Sequence, residues 1–237
     1  MEIAILTQNN SFLINRYSRI LAENLSRLGF HLVIFRTSAT AKGKRTSKMS
    51  ALREVFGFFG PVFTLRAVGA ALASMLCDRP SRFPANCRII DVPDNQKIDP
   101  EFLRAHCSEL HVLLILAGTR IIRRDVLDLW THGVLNVHSS ILPYARGVMP
   151  ALWTWINRKG MGVTLFRLDE GIDTGEIILQ AQIEAPARSY FQHIKDTKLI
   201  GVQLLTSWTT TNLLPRPEAA TIEDTYFTYP EPGFKLR

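Results

Sequence analysis

The chain has 237 residues, of which 46% are hydrophobic, and its mean hydropathy is +0.06. This length and apolar content support one domain of moderate size with a full core, and they exclude an intrinsically disordered chain. The 28 Lys and Arg residues outnumber the 21 Asp and Glu residues, which gives a formal net charge of +7.

The N-terminal segment and the cysteines bear on the cellular compartment. MEIAILT runs from Met1 directly into a strand pattern, without the basic region that opens a secretory signal peptide. Cys77, Cys87 and Cys107 show neither metal-ligand spacing nor a disulfide framework. We therefore predict a cytoplasmic protein.

The first 35 residues predict a βαβ unit. Residues 1–6 and 31–35 are short apolar runs of the kind that form buried parallel strands. Residues 12–28 between them have helical spacing, and Gly29 follows at the position that glycine favours after a helix. The connecting turn has no G-x-G-x-x-G, so the sequence does not support a dinucleotide site.

The excess positive charge lies in one segment, residues 36–82. From Arg36 to Arg82 the chain has nine Lys or Arg residues against Glu54 and Asp78. The same segment contains an apolar run, 56–76, which is long enough to cross a membrane. Arg66 near its middle and Pro61 disfavour a span. We predict a soluble helix over about 61–77 that packs on the sheet or forms a homodimer surface. A helix in peripheral contact with an anionic membrane is the second interpretation, and a true span is the third.

The remaining elements alternate between strand and helix. Strands are predicted at 87–92, 109–116, 134–138, 162–168 and about 180–185, and helices at 100–107, 124–130, 151–158 and 189–213. This order predicts an α/β domain over residues 1–213, with a mostly parallel, helix-covered, Rossmann-like sheet and an insertion at 37–85. Residues 214–237 are rich in proline and aromatic residues, and they predict a C-terminal tail with little regular structure.

The stretch 134–179 carries the candidate chemistry. An apolar strand ends in Asn136 and His138, and the next strand leads into an acidic loop that holds Asp173. Side chains alternate along a strand, so Asn136 and His138 point to the same side. A buried amide and imidazole require partners, and Asp173 supplies the charge if the two strands are neighbours. An Asn, a His and an Asp that meet at strand ends predict an acyl-transfer centre.

Two motifs in this stretch resemble those of a known family. NVHSSILPYARG at 136–147 is followed by LDEGIDTGEI at 168–177. Together they resemble the signature of the folate-dependent formyltransferases, which include glycinamide ribonucleotide, methionyl-tRNA and nucleotide-sugar N-formyltransferases. The resemblance covers residues 110–185 closely and the N-terminal half loosely. It implies the formyltransferase fold, a catalytic triad of Asn136, His138 and Asp173, and N10-formyltetrahydrofolate as the formyl donor.

The resemblance also implies where the formyl donor binds. A pterin is flat with amide-like edges, so it requires apolar walls and backbone hydrogen bonds. The implied residues are Gly118, Thr119, Ile121, Ile122, Val134, Leu168, Asp169 and Gly171. The segment AGTRII departs from the glycinamide ribonucleotide branch, because its loop is one residue shorter.

The amine acceptor follows from a looser resemblance. The candidate residues are Gln8, Asn9, Asn10, Ser139, Tyr144, Arg146, Gly147 and Trp153. With the aromatic tail, they look most like the nucleotide-sugar N-formyltransferases, which implies an amino-deoxy sugar on a nucleoside diphosphate. A guanidinium at Arg146 matches phosphate geometry, although it can instead pair with a neighbouring carboxylate. Residues 8–10 also suit an ordinary turn and N-cap.

Other functions remain open from the sequence. The methionyl-tRNA branch has a further C-terminal domain and the formyltetrahydrofolate hydrolase branch a further N-terminal one, and we expect neither here. Nucleic acid is therefore a poor fit, and formylation of glycinamide ribonucleotide is another alternative. A catalytically idle relative that binds a membrane or a protein partner is the non-enzymatic alternative. No metal site is predicted, because His138 has no second imidazole and no cysteine pair nearby.

Overall fold

The protein is described here from a computed structural model. It describes residues 1–9, 14–37, 56–57, 60–62, 64–66, 68–69, 83–118, 121–185, 187, 189–211 and 222–230.

Nine strands and five helices are assigned in the described ranges, apart from short helical pieces between residues 56 and 69. The strands are β1 (Glu2–Gln8), β2 (His31–Thr37), β3 (Cys87–Val92), β4 (Leu113–Leu116), β5 (Val134–His138), β6 (Arg146–Gly147), β7 (Gly162–Arg167), β8 (Ile177–Gln182) and β9 (Tyr226–Phe227). The helices are α1 (Ile14–Arg27), α2 (Pro100–His106), α3 (Arg124–Leu127), α4 (Pro150–Asn157) and α5 (Tyr190–Thr211).

Seven of the strands form one sheet in the order β3-β2-β1-β4-β5-β7-β8. The pairs from β3 to β5 are parallel, whereas β7 runs antiparallel to both β5 and β8. Parallel strands are buried on both faces, which explains their near-continuous apolar sequences. The prediction of a mostly parallel, helix-covered sheet is confirmed.

Helices cover both faces of the sheet. On one face, residues of α1 and α5 pack against Ile5, Leu114 and Val137. On the other face, Leu103 of α2, Val126 of α3 and the nearby Trp130 pack against alternate residues of the same strands, among them Leu6, Ile115 and Val134. Because side chains alternate along a strand, Asn136 and His138 belong to the second face.

Several predicted boundaries are wrong by a few residues. The strand predicted at 109–116 begins only at Leu113, and Glu109 before it accepts a hydrogen bond from the Glu2 amide at 2.9 Å. The helix predicted at 124–130 ends at Leu127. Gln8 was predicted in a turn but belongs to β1, where it pairs with Thr37.

The described part of the C-terminal tail, 222–230, contains one two-residue strand, β9. It pairs in parallel with β6 in a separate two-stranded sheet. Sequence patterns did not indicate this strand, because two residues are too few to show alternation.

The basic segment 37–85 lies mostly outside the described residues. The described residues between 56 and 69 are helical, and among them Val62 and Leu65 are exposed. In the described part of the chain, no helix is long and apolar enough to cross a bilayer. Peripheral membrane contact or a homodimer surface at 37–85 stays a prediction.

Buried His193 contributes to the pH dependence of the stability of the fold. His193 of α5 is fully buried, and its Nε2 lies 3.2 Å from Thr154 Oγ1 on α4. Its Nδ1 is buried without a hydrogen-bond partner among the described residues. Burial lowers the pKa of His193, with Asp196 acting in the opposite direction and Arg158 adding to the lowering.

The unfolded chain therefore takes up a proton at His193 before the folded chain does. We expect the free energy of unfolding to fall as pH drops below about 6.5, with a slope from this residue of at most about 1.4 kcal/mol per pH unit. Urea unfolding at several pH values between pH 8 and pH 5 measures this slope. His193→Leu is expected to flatten the slope and the exposed His31→Asn to leave it unchanged; equal slopes in His193→Leu and the unmodified protein would contradict the expectation.

Candidate active site

The site is built at the carboxyl end of β5, near the centre of the sheet. Asn136 pairs with Ile115 of β4 on one side and with Phe166 of β7 on the other. His138 is the last residue of the strand and is 5% exposed. The sheet thus holds both backbones rigidly, at an edge where open α/β sheets usually bind ligands.

The loop after β7 brings the carboxylate to this edge. The Leu168 amide donates to the Val134 carbonyl at 2.8 Å, at the start of β5. Five residues later, Asp173 Oδ2 lies 3.5 Å from His138 Nδ1, at the end of the same strand. The loop therefore runs back along β5 past Asn136. Asp173 has a φ of 53°, a left-handed conformation that aspartate tolerates better than most residues.

Asp169 holds this loop in shape. Its carboxylate accepts hydrogen bonds from the Gly171 amide at 3.1 Å and from Thr174 Oγ1 at 2.8 Å. The sequence predicts that Asp169 binds the formyl donor. In the structure, its contacts also give it a part in positioning Asp173.

The two ring nitrogens of His138 have different neighbours. Nε2 lies 2.8 Å from the carbonyl oxygen of Ala145, and Nδ1 faces Asp173. A carbonyl oxygen only accepts hydrogen bonds, so Nε2 carries a proton in both the neutral and the charged ring. The proton that His138 gains and loses is therefore at Nδ1, on the side of Asp173.

The charge of His138 reflects opposing influences. Burial lowers its pKa, and the charge of Lys198 adds to the lowering. The carboxylate of Asp173 and the hydrogen bond to Ala145 act in the opposite direction. The net pKa lies below the ordinary value, so the ring is neutral at pH 7 and Nδ1 is free to accept a proton.

Asn136 completes the grouping. Its side chain is half-buried, and the amide makes no hydrogen bond to any residue that the structure describes. A free amide N–H on the same strand face as His138 is a ready hydrogen-bond donor for an oxygen that gains negative charge. The structure thus brings the three residues predicted as a triad to one edge of the sheet.

A cavity of about 530 Å³ opens beside β5. Apolar walls come from Leu127, Trp130, Val134 and Leu168, and its polar lining includes Asp169 and the backbone of Gly171. Arg124 spans its rim through ion pairs with Asp128 at 3.4 Å and Glu170 at 3.5 Å. The buried Nε1 of Trp130 has no hydrogen-bond partner among the described residues. Apolar walls with a few polar groups suit a flat heteroaromatic ligand.

Comparison with known proteins identifies the domain that carries this site. Residues 80–197 match the family model described as "Formyl transferase". Over this range the chain is similar to the formyl transferases.

Relatives and solved structures of formyl transferases agree with this similarity. A methionyl-tRNA formyltransferase of Anaeromyxobacter dehalogenans is 38% identical over 103 residues, which are 42% of this chain and 33% of that protein. The matched region is therefore about a third of that relative's own length.

Two solved structures show the same fold. Phosphoribosylglycinamide formyltransferase from Streptococcus pneumoniae has a TM-score of 0.56 at 15% identity, covering 89% of this chain and 98% of its own. An N-formyltransferase from Helicobacter canadensis, solved with folinic acid and dTDP-3-aminofucose, has a TM-score of 0.56 at 16% identity, covering 95% of this chain and 70% of its own. The fold of this chain is that of the formyl transferases.

The donor-binding residues predicted for the formyl transferase domain are only partly brought together. Val134, Leu168, Asp169 and Gly171 line the cavity. Gly118, Ile121 and Ile122 are not among its described lining residues, and Ile121 is 91% exposed. Thr119 lies outside the described residues. The predicted contribution of the loop after β4 includes Thr119, which the structure does not describe. On the α3 side, the cavity lining includes residues of α3 itself and Trp130.

The predicted acceptor residues of the formyl transferase domain mostly have structural partners. The Tyr144 ring is buried and its hydroxyl accepts from Asn157 at 3.0 Å. Arg146 pairs with Asp224 at 2.8 Å, which is the alternative that the sequence left open. The Trp153 indole nitrogen donates to the carbonyl oxygens of Val148 and Thr228. These contacts explain the positions of Tyr144, Arg146 and Trp153, and they do not require a bound amine acceptor.

The remaining acceptor candidates lie closer to the strand ends. Gln8 ends β1, and the Asn9 amide donates to the Thr37 carbonyl at 2.7 Å. Ser139 is buried directly after His138. The Gly147 amide donates to Asp173 Oδ2 at 2.8 Å, so Gly147 serves the triad itself. Asn10 lies outside the described residues.

Sequence reasoning missed two groups of the site. The Ala145 carbonyl is a backbone group, which no side-chain pattern reveals. Lys198 of α5 lies three and four residues before the buried Gly201 and Val202, so its helical position points inward. A lysine at an inward position was the signal that sequence analysis passed over.

Lys198 affects the titration of His138. Its ammonium donates to Ser139 Oγ at 3.4 Å, and burial lowers its own pKa to about 8. Because its charge helps to lower the pKa of His138, we expect Lys198→Met to raise the pKa of His138. A pH titration of the His138 ring followed by NMR measures it. Lys195→Met, on the same helix beside the Phe191 ring, is the matched control, and an unchanged His138 pKa in Lys198→Met would contradict the expectation.

Proposed function

We propose that the chain is an N-formyltransferase that moves a formyl group from N10-formyltetrahydrofolate to the amine of a small acceptor. The observation that carries the proposal is the triad: the neutral Nδ1 of His138 faces the Asp173 carboxylate at 3.5 Å. On the same face of β5, the Asn136 side-chain amide has no hydrogen-bond partner among the described residues. The match of residues 80–197 to the formyl transferase family supports the same reaction.

The formyl donor is assigned to the cavity beside β5. Leu127, Trp130, Val134 and Leu168 would enclose the pterin, and the backbone around Gly171 and the Asp169 carboxylate would meet its polar edge. The unpartnered Trp130 Nε1 adds a buried donor to this wall. The donor brings an already activated formyl group, so no covalent enzyme intermediate is needed.

The three side chains have separate tasks in this proposal. As the acceptor amine attacks the formyl carbon, the formyl oxygen gains negative charge, which the Asn136 amide stabilises. One such donor is worth about 2.7–4 kcal/mol in the transition state. His138 takes a proton from the amine at Nδ1, directly or through water, and Asp173 stabilises the resulting imidazolium. His138 then returns the proton to the departing folate nitrogen.

By residue type alone, both Asn136 and His138 are candidate hydrogen-bond donors to the formyl oxygen. Because the Ala145 carbonyl occupies Nε2, only Nδ1 is left for the reactants, and the neutral ring has no proton there to donate. Asn136 is therefore proposed as the main donor to the formyl oxygen.

For the acceptor, we propose an amino-deoxy sugar linked to a nucleoside diphosphate. The Helicobacter canadensis enzyme, solved with dTDP-3-aminofucose, shares its fold with 95% of this chain. Methionyl-tRNA is the second candidate, because the Anaeromyxobacter dehalogenans relative at 38% identity bears that name. The net charge of +7 is compatible with either phosphate-bearing acceptor.

An acceptor panel tests the proposal. The full chain is assayed for tetrahydrofolate release with N10-formyltetrahydrofolate and thymidine, uridine or guanosine diphosphate amino sugars, beside glycinamide ribonucleotide and charged initiator tRNA. We expect turnover with an amino-sugar nucleotide. If charged initiator tRNA is the one acceptor in the panel that gives turnover, methionyl-tRNA replaces the amino-sugar nucleotide as the proposed acceptor. No turnover with any acceptor, together with no binding of the folate by calorimetry, would overturn the proposed function.

A further inference from the structure

The C-terminal segment 222–230 lies on the loop 143–149, which contributes backbone groups to both His138 and Asp173. The Ala145 carbonyl contacts His138 Nε2, and the Gly147 amide donates to Asp173. This loop is positioned from outside, because it contains three residues with positive φ: Ala145 at 57°, Gly147 at 97° and Met149 at 56°. Alanine and methionine are unfavourable in the left-handed backbone conformation unless surrounding contacts fix them there.

Those contacts come from the C-terminal segment. The Ala145 amide donates to Thr225 Oγ1 at 2.8 Å, and the Arg146 amide donates to the Thr225 carbonyl at 2.8 Å. The Val148 amide donates to the Phe227 carbonyl at 3.0 Å. Three backbone amides of the loop thus depend on two residues that lie about 80 positions further along the chain.

Side chains strengthen the attachment. The Phe227 ring stacks on Trp153 of α4, with centroids 4.8 Å apart and planes at 15°. A Cβ at Gly147 would lie 2.3 Å from the Phe227 carbonyl oxygen, so the close approach of β9 requires glycine there. Arg146 pairs with Asp224 at 2.8 Å, and Lys159 pairs with Glu223 at 2.6 Å. The segment therefore belongs to the site rather than to a peripheral tail.

We propose that the segment 222–230 is a clasp that positions the catalytic groups, with Thr225 and Phe227 as its positioning residues. Thr225 holds the two peptide groups on either side of the Ala145 Cα, because its Oγ1 accepts from the Ala145 amide and its carbonyl accepts from the Arg146 amide. The second of these peptide groups carries the Ala145 carbonyl, which keeps the proton on Nε2 of His138. The clasp thereby leaves Nδ1 free to accept the proton from the amine. The inference rests on the proposed function for its kinetic consequence, whereas its effect on the His138 ring is independent of any reaction.

The test compares threonine variants within the clasp. Thr225→Val keeps the shape of the side chain and removes the oxygen that accepts from Ala145, whereas Thr225→Ser keeps that oxygen. Thr228→Val is the matched control, because the one hydrogen bond of the Thr228 hydroxyl within the described residues goes to the carbonyl of the adjacent Tyr229. Each full-length variant is examined by nitrogen NMR of the His138 ring, by thermal unfolding and by steady-state kinetics.

We expect Thr225→Val to move the His138 nitrogen shifts toward the tautomer protonated at Nδ1. We expect kcat to fall about 10- to 100-fold, the scale of small misplacements in an active site, with KM for the folate nearly unchanged. Thr225→Ser should restore both readouts, and Thr228→Val should change neither. If Thr225→Val does not fold, Phe227→Leu gives the same readouts, because it removes the stacking on Trp153 and keeps the backbone hydrogen bonds.

Two results separate the inference from the proposed function. Unchanged His138 nitrogen shifts in folded Thr225→Val, or in Phe227→Leu in its place, would overturn the clasp even if the chain transfers formyl groups. Absence of turnover in the unmodified protein would overturn the proposed function, and the NMR comparison would still decide whether the clasp sets the tautomer of His138.

Discussion

Replacing His138 by asparagine is expected to reduce kcat for formyl transfer by about 1,000-fold, within the range that general acid–base groups contribute. An asparagine side chain is small enough for the buried position, but it cannot take a proton from the amine near neutral pH. KM for the folate is expected to stay nearly constant, because His138 is not among the residues that line the cavity beside β5. Tetrahydrofolate release under saturating donor and acceptor measures both constants.

The fold is expected to survive this change. Circular dichroism and thermal unfolding of His138→Asn check it, and His132→Asn, at an exposed histidine two residues before β5, is the matched control with unchanged kcat. Full activity in a correctly folded His138→Asn protein would show that another group moves the proton, and the proposed role of His138 would be wrong.

Replacing Asp173 by asparagine is expected to lower kcat by a comparable amount, about 100- to 10,000-fold. The amide keeps an oxygen for the Gly147 backbone N–H, so the loop retains its shape. It loses the charge that stabilises the protonated ring. Because the carboxylate raises the pKa of His138 against burial, the pKa of His138 is expected to fall further in this variant.

Kinetics and an NMR titration of His138 measure the two effects of Asp173→Asn separately. Glu176→Gln is the control, since this half-exposed carboxylate lies three residues later in the chain and pairs with Arg167 at 3.6 Å. An Asp173→Asn protein with an unchanged His138 pKa would mean that the carboxylate is electrostatically uncoupled from the ring. The proposed stabilisation of the imidazolium would then fail.

Much of the architecture follows from local patterns in the sequence. The apolar runs of β1, β2 and β5 are continuous because both faces of a parallel strand are buried, and that pattern is readable without a structure. The alternation along β5 placed Asn136 and His138 on one face correctly. The order of strands and helices also gave the sheet its parallel character, since βαβ crossovers leave few alternatives.

Other features depend on contacts that no local pattern encodes. The antiparallel direction of β7 decides that the loop after it must run back along β5, and only this course carries Asp173 to His138. The side chains of Tyr144, Arg146 and Trp153 are typical of a binding loop, yet their partners are Asn157, Asp224 and backbone carbonyls. Those partners come from distant positions, so their pairing could not be read from the sequence.

The distance along the chain between the clasp and its loop has a consequence for biosynthesis. A ribosome delivers β5 and the loop after β7 well before it delivers Thr225, which lies 80 residues beyond Ala145. Until that threonine emerges, the nascent polypeptide holds the sheet and the three polar side chains but lacks the outside support for residues 143–149. On this structure, the loop gains that support only after β5, β7 and α5 have all been synthesised.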